Sequence, residues 1–241
     1  MKSDKDVYHR IRKFVSKVVH SSPVLANYGL DYSFNTQFKC LATMQEYTLK
    51  TIRELFRTYK GKNVNSILQK DIDIFLIESI AFFEAYLNAF YSFIQIIGRL
   101  TPYFYDREKL KRSVPYRYFH WQIDYFLDNP DVDHEYSDYL KNNMTWYDEL
   151  IFNRDAVSHN VSAFLGFGKK EIIFIDMPKR RIDFFESGKP TKKLEQYILE
   201  NWTSLFEFLD FYVEHFSNRQ IFVETEEEWK LIQEKIRKTQ D

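Results

Sequence analysis

Between Ile72 and Leu100 the chain carries an almost unbroken apolar run, in which Asp73, Glu78 and Glu84 are the acidic interruptions. A run of this length needs either a bilayer or a protein interior around it, because water on all sides would leave most of its side chains unburied. Carboxylates are costly in hydrocarbon, so the sequence predicts the core helix of a soluble protein rather than a membrane span. No proline falls within it, and Thr101-Pro102 sets its end. One polar stripe remains on this helix, made of Glu84, Asn88, Tyr91, Ser92 and Gln95; it either meets water or lines a site.

The rest of the chain points to the same all-α class. Only 6 residues are glycine and 6 proline, whereas 23 are Phe and 17 Tyr, so breakers are scarce and long elements are expected. At 241 residues the chain suits one domain with one sizeable core. Lys2, Asp4, Lys5 and Asp6 open it without the apolar stretch of a secretory signal, so export is not expected. The single cysteine, Cys40, suits a reducing, cytoplasmic compartment and reads as a packed thiol. A net charge of -1 gives no global basic field, so any contact with nucleic acid must come from a local patch.

Periodicity and breakers divide the remainder. Residues 6–19 read as an amphipathic helix stopped by Ser21-Ser22-Pro23, followed by a loop at Ala26-Asn27-Tyr28-Gly29. A second helix is expected from Asn35, a good N-cap, to Gly61, with Leu41, Met44, Leu49, Ile52, Leu55 and Phe56 as its apolar face. Shorter helices over 103–130 are rich in Tyr and Phe and carry Lys109, Lys111, Arg112 and Arg117. A long helix opens near Asp133, runs toward Phe164 and ends at Gly166 and Gly168. Residues 171–176 and 180–185 then read as the two strands of a hairpin, which leans on the helices because two strands alone are marginal. A helix over 191–216 follows, and Thr225 with Glu228 forms a capping box for a charged last helix over 225–238.

One segment breaks the apolar pattern. In Phe152-Asn153-Arg154-Asp155-Ala156-Val157-Ser158-His159-Asn160, Arg154 falls on the stripe of Leu140, Met144, Tyr147, Ile151, Ser158, Val161 and Leu165. A buried cation there requires an anionic partner, which is a carboxylate, another subunit or a phosphate. As a purely structural pair, Arg154 with Asp155, Glu84 or Glu149 would pin helices together, and His159 would be a core histidine bonded to a backbone carbonyl. As chemistry, an Arg and a His with no metal cluster, nucleophile elbow or phosphate loop suit cleavage of RNA through its own 2′-hydroxyl. The substrate supplies the nucleophile, a histidine near its ordinary pKa moves the proton, and an arginine neutralises charge on the phosphate. One helix offers one His where the reaction benefits from both an acid and a base, so a two-fold dimer presenting two copies face to face completes the set.

The segment resembles the Arg-x4-His signature of the HEPN superfamily, all-α domains that include many metal-independent ribonucleases. Arg154, the acidic Asp155 after it, and His159 carry the resemblance, which covers about residues 72–216 of a single domain 1–241. Helices over 6–61 and 225–238 would then be elaborations. It implies a HEPN-like helical bundle with a small β-hairpin insertion after the motif helix. It also implies Arg154 and His159 as catalytic residues, Asp155 as the residue orienting them, and an acidic residue from an earlier helix, for which Glu84 is the candidate and Glu78 the second choice. RNA and a second copy of the chain are the implied partners, without cofactor, metal or membrane. The implied setting is defence or toxin-type regulation, with an unspecified antitoxin or regulatory protein. Val161 stands where an antitoxin-controlled subgroup carries a tyrosine, so control through that tyrosine is not expected. The alternative is a non-catalytic HEPN-like module that binds RNA, a nucleotide or a protein partner.

Two further groups stand apart from that motif. Lys169, Lys170, Lys179, Arg180, Arg181, Lys189, Lys192 and Lys193 follow it closely and either guide an RNA backbone or form an ordinary solvated hairpin. His134 sits among Asp131, Asp133 and Glu135 without a spacing that fixes metal ligands on one face, and His215 lies near a helix end.

Overall fold

The computed structural model describes residues 3–59, 69–106, 108–110, 112, 114–115, 118–159, 165–167, 172–174, 192–225, 227–228 and 230. For residues 55–56, 58–59, 69–76, 79, 156–159, 165–167, 172–174 and 192–193 the description is of the backbone.

Helix α1, Asp4–Ser21, starts where Ser3 accepts from the Asp6 backbone N–H, and Asp4 and Asp6 complement the dipole in its first turn. Val7, Ile11, Phe14, Val15 and Val18 recur at helical spacing and are buried. Ser22 caps the short α2, Pro23–Asn27, accepting from the Leu25 N–H, so part of the expected loop is helical. Gly29, at φ 60, then turns the chain in the left-handed region. That reversal starts α3, Leu30–Tyr59, ahead of Asn35. Asn35 is not its cap; it lies one turn in, its amide donating to the Asp31 carbonyl and its Oδ1 accepting from the Tyr8 hydroxyl. Cys40 is exposed on α3 rather than packed.

Helix α4, Gln69–Leu100, is the expected core helix: Phe83, Tyr86, Leu87, Phe90, Phe93, Ile94, Ile97 and Leu100 are fully buried. Ile80–Phe104 is long and apolar enough to cross a membrane by length and composition, and half of the apolar window there is buried within the protein. The chain divides into two compact units made of interleaved segments. The first comprises Met1–Phe38, Phe93–Asn143 and Phe206–Asp241, and the second Lys39–Ser92 and Met144–Leu205.

In the first unit a 3₁₀ turn, Thr101–Phe104, leads to α5, Phe119–Asp128, a second 3₁₀ turn, Pro130–Val132, and α6, His134–Asn143. The C-terminal part of α8, Leu194–Phe216, brings Phe208, Tyr212 and Phe216 into an aromatic core with Phe14, Phe104, Tyr105, Phe126 and Tyr136. Arg10 of α1 pairs with Asp210 of α8.

Asp133 closes this unit. One carboxylate oxygen accepts from the Tyr136 N–H at 3.1 Å, capping α6. The other accepts from Tyr105 Oη at 2.6 Å and lies 2.9 Å from His215 Nε2 and 2.7 Å from Arg219 Nη1. Glu135 Oε2 stands 3.2 Å from the other His215 ring nitrogen. The His215 and Asp133 side chains are only 1% and 3% exposed. Desolvation alone would raise the Asp133 carboxyl, but the bonds from His215 and Tyr105 outweigh it and hold it well below the usual carboxylate range. The buried Tyr105 hydroxyl moves the other way, raised by desolvation and by the Asp133 charge.

The second unit packs Leu41, Leu49 and Ile52 of α3 and Phe83, Tyr86, Leu87 and Phe90 of α4 with α7, Thr145–His159, and the first half of α8. The expected continuous helix from Asp133 to Phe164 is therefore two helices, broken at Met144. The Asn142 and Asn143 amides donate to the carbonyls of Asp138 and Tyr139, taking up the last acceptors of α6, and the Tyr147 and Asp148 N–H groups restart on the Met144 carbonyl. After α7 a small antiparallel sheet follows in the order β1 Leu165–Phe167, β2 Ile172–Phe174, β3 Lys192–Lys193. Of the two expected hairpin strands, 172–174 is extended but pairs with 165–167 and 192–193; residues 180–185 lie outside the described residues. The expected helix over 191–216 accordingly begins at Leu194. Thr225 and Glu228 form the reciprocal capping pair, at 2.7 and 3.2 Å, and the helix expected beyond it lies mostly outside the described residues.

Asp133 gives a pH signature with a definite sign. Its folded pKa is depressed, so its stabilisation is complete above the unfolded value of about 3.9 and is lost as pH falls below that. Asp133→Ala leaves His215 and Arg219 without their buried partner and is expected to cost about 3 kcal/mol or more. Urea unfolding at pH 7 and at pH 3 checks both points: the variant and the native chain should differ markedly at pH 7 and by less at pH 3, and should converge only as pH falls through the depressed folded value.

Candidate functional site

Met144, just before α7, and Tyr147, Leu150 and Asn153 within it are buried, so the expected stripe holds at Met144 and Tyr147 and then shifts by one position, from Ile151 and Arg154 to Leu150 and Asn153. The buried polar residue is Asn153, at 0% exposure, and not Arg154. Asn153 donates to Tyr197 Oη at 3.0 Å, which ties α7 to α8, while its Oδ1 has no hydrogen-bond partner among the described residues. Leu140, Met144 and Tyr147 of the expected stripe are buried, and the departure begins after Tyr147, where Leu150 and Asn153 are buried in place of Ile151 and Arg154.

Arg154 therefore sits at the edge of the helix, with its side chain 26% exposed. Three groups hold its guanidinium. Nη1 donates to Asp155 Oδ1 at 2.7 Å, Nε donates to Asn88 Oδ1 at 3.3 Å, and the cation lies over the Tyr91 ring at 4.5 Å. Asn88 and Tyr91 belong to the polar stripe of α4, so part of that stripe lines the arginine rather than simply meeting water. Among the described residues, Nη2 has no hydrogen-bond partner. The arrangement is an oriented, partly solvated guanidinium, a group suited to a phosphate or carboxylate. The partner carboxylate of Arg154 is Asp155, and no described contact joins it to Glu84 or Glu149.

Glu84 lies one helical turn before Asn88 on the same face of α4, half-buried, and desolvation raises its carboxyl above the usual range. Glu78 is exposed. For His159 the structure describes the backbone, as the last residue of α7; its side chain lies outside what is described. On an ideal helix a spacing of five residues turns by about 140° and rises about 7.5 Å, so Arg154 and His159 do not share one stripe. The basic residues at 169–170, 179–181 and 189 lie outside the described residues, and Lys192 and Lys193 are described by backbone alone.

Sequence reasoning missed the union of Asp133, His215, Arg219 and Tyr105. Two signals were legible: His215 and Arg219 are spaced i, i+4, and Asp133 stands at the N-cap of an amphipathic helix. The cluster is enclosed, so its role is to hold the fold. His134 itself is exposed beside Asp131, 3.4 Å away. Among the described residues no group of three or more His, Cys, Asp and Glu side chains is arranged to hold a metal ion.

Comparison of the chain with protein-family models, with curated proteins and with solved structures finds no match.

The burial pattern separates two neighbours on α7. Arg154→Ala should change the unfolding free energy by about 1 kcal/mol or less, as expected for a half-exposed ion pair. Asn153→Asp places a charge at a fully buried position and should cost about 3 kcal/mol or more. Thermal or urea unfolding of both variants checks the contrast.

Proposed function

We propose that the chain is a HEPN-like, metal-independent endoribonuclease acting as a homodimer, with Arg154 and His159 as its catalytic residues. The observation that carries this reading is the setting of Arg154: a guanidinium fixed by Asp155, Asn88 and Tyr91, with its side chain still 26% exposed. Fixing the fork in advance lowers the entropy lost on binding a phosphate and aims it at charge that develops in the transition state. In the proposed reaction the 2′-oxygen attacks phosphorus, the 5′-oxygen leaves, and His159, with its symmetry mate, takes the first proton and supplies the second. Asp155 orients Arg154, and Glu84 is the acidic neighbour from the earlier helix. The reading extends to a cytoplasmic chain in defence or toxin-type regulation.

A non-catalytic binding module is the second reading. It is favoured by the 2.7 Å ion pair between Arg154 and Asp155, which neutralises the cation that a phosphate would meet.

Incubation of the pure protein with mixed RNA in EDTA separates the two. The first reading expects cleavage that falls about 100-fold or more in His159→Ala and in Arg154→Ala, the range for loss of a proton-transfer group or a charge-stabilising donor. RNA left intact by the native chain, or cut equally by His159→Ala, rejects it. RNA binding that needs Arg154 without cleavage selects the second.

A further inference from the structure

The loop before α5 is anchored by buried polar groups. Gln122 Nε2 donates to the Gly98 and Pro115 carbonyls, each at 2.6 Å, and Tyr125 Oη donates to the Arg112 carbonyl at 2.7 Å. Gln95 Oε1 accepts from the Phe119 N–H at 2.9 Å and so caps α5 from α4. Gly98 lets the two helices meet: a Cβ there would stand 3.2 Å from the Phe119 Cβ and 3.4 Å from its Cα. Arg112, Pro115 and the start of α5 are thereby held in place.

This anchored segment turns aromatic rings outward. Tyr118 and Trp121 are 36% and 45% exposed, although large aromatics are among the first residues a core takes up. Tyr118 meets Trp121 edge-on with centroids 4.6 Å apart and stacks with His120 at 5.4 Å, and His120 meets Trp121 edge-on at 5.7 Å. The His120 Nδ1 is buried and has no hydrogen-bond partner among the described residues. The sequence from Arg107 to Arg117 holds five basic residues, Arg107, Lys109, Lys111, Arg112 and Arg117, against one acidic residue, Glu108. Arg112 is exposed, whereas Lys109 is already paired with Asp106 at 2.8 Å. The acids of α5, Asp124 and Asp128, fall toward its C-terminal end, away from the rings at its start.

We propose that Tyr118, His120 and Trp121, with Arg112 of the same anchored loop, form a stacking platform for the bases of a single-stranded nucleic acid. Rigid exposed rings accept any base face, and flanking cations meet the phosphates between bases. An acidic protein segment would use the cations but gains little from the rings. The platform stands whether or not Arg154 takes part in cleavage.

Anisotropy titrations of fluorescein-labelled oligothymidylate and 2′-O-methyl oligouridylate, neither of which has a free 2′-hydroxyl, test this on the full chain. Binding of both ligands is expected, weakened about tenfold by Trp121→Ala and by Tyr118→Ala, also in an Arg154→Ala background, and largely kept by Trp121→Phe. These side chains are exposed, so an unchanged circular dichroism spectrum and thermal midpoint should accompany the loss. Equal binding by Trp121→Ala and the native chain overturns the platform; loss through Arg154→Ala alone would then leave the Arg154 reading intact. Binding of neither oligonucleotide, with polyglutamate bound instead, overturns it in favour of an acidic protein partner.

Discussion

Helix α4 must hide apolar side chains on almost every side, and that single demand organises the elements around it. Its middle gives Phe83, Tyr86, Leu87 and Phe90 to the core of the second unit, and its last turns give Phe93, Ile94, Ile97 and Leu100 to the core of the first. Little of its surface is left for polar residues, so those that remain have partners. Asn88 and Tyr91 meet Arg154, and Gln95 caps α5. A helix that were apolar on one face alone would have left this stripe to water.

The two units spend charge in opposite ways. In the first, the buried Asp133 gathers a buried tyrosine and histidine and a partly exposed arginine, where removing Asp133 strands the others. In the second, the charged pair Arg154 and Asp155 stays at the surface, and the buried polar work falls to neutral side chains, Asn153 with Tyr197 and Thr48 with the Phe82 carbonyl. A cation that is oriented but still wetted can exchange one partner for another. That exchange underlies the proposed reaction: a phosphate arriving at Arg154 must compete with, or displace, the Asp155 carboxylate.

Much of this was legible in the sequence and some was not, for identifiable reasons. The helical character, the core role of α4 and the Thr225–Glu228 capping pair follow from local periodicity and capping chemistry. The stripe of α7 holds at Met144 and Tyr147 and is lost beyond them, because periodicity alone does not choose between a step of three residues to Leu150 and a step of four to Ile151. One residue of phase error exchanged Arg154 for Asn153 as the buried group. The start of α3 was misjudged because Gly29 in the left-handed region outweighs a good N-cap residue, Asn35, six positions later. Asp133, His215 and Arg219 could not be joined from the sequence, since their meeting depends on how α8 returns to α6. The Arg-x4-His spacing was visible as a motif, yet only the packing of α4 revealed that Asn88 and Tyr91 hold Arg154.

The chemistry assigned to Arg154 and His159 uses the 2′-hydroxyl of the substrate as nucleophile, and the product ends record whether it did. Mass spectrometry of the fragments from a defined RNA oligonucleotide, alongside the same oligonucleotide with 2′-O-methyl groups throughout, reads this directly. The account predicts 2′,3′-cyclic phosphate or its hydrolysis product on the upstream fragment, a free 5′-hydroxyl on the downstream one, and an intact methylated strand. Cleavage of the methylated strand, or downstream fragments carrying a 5′-phosphate, would contradict it.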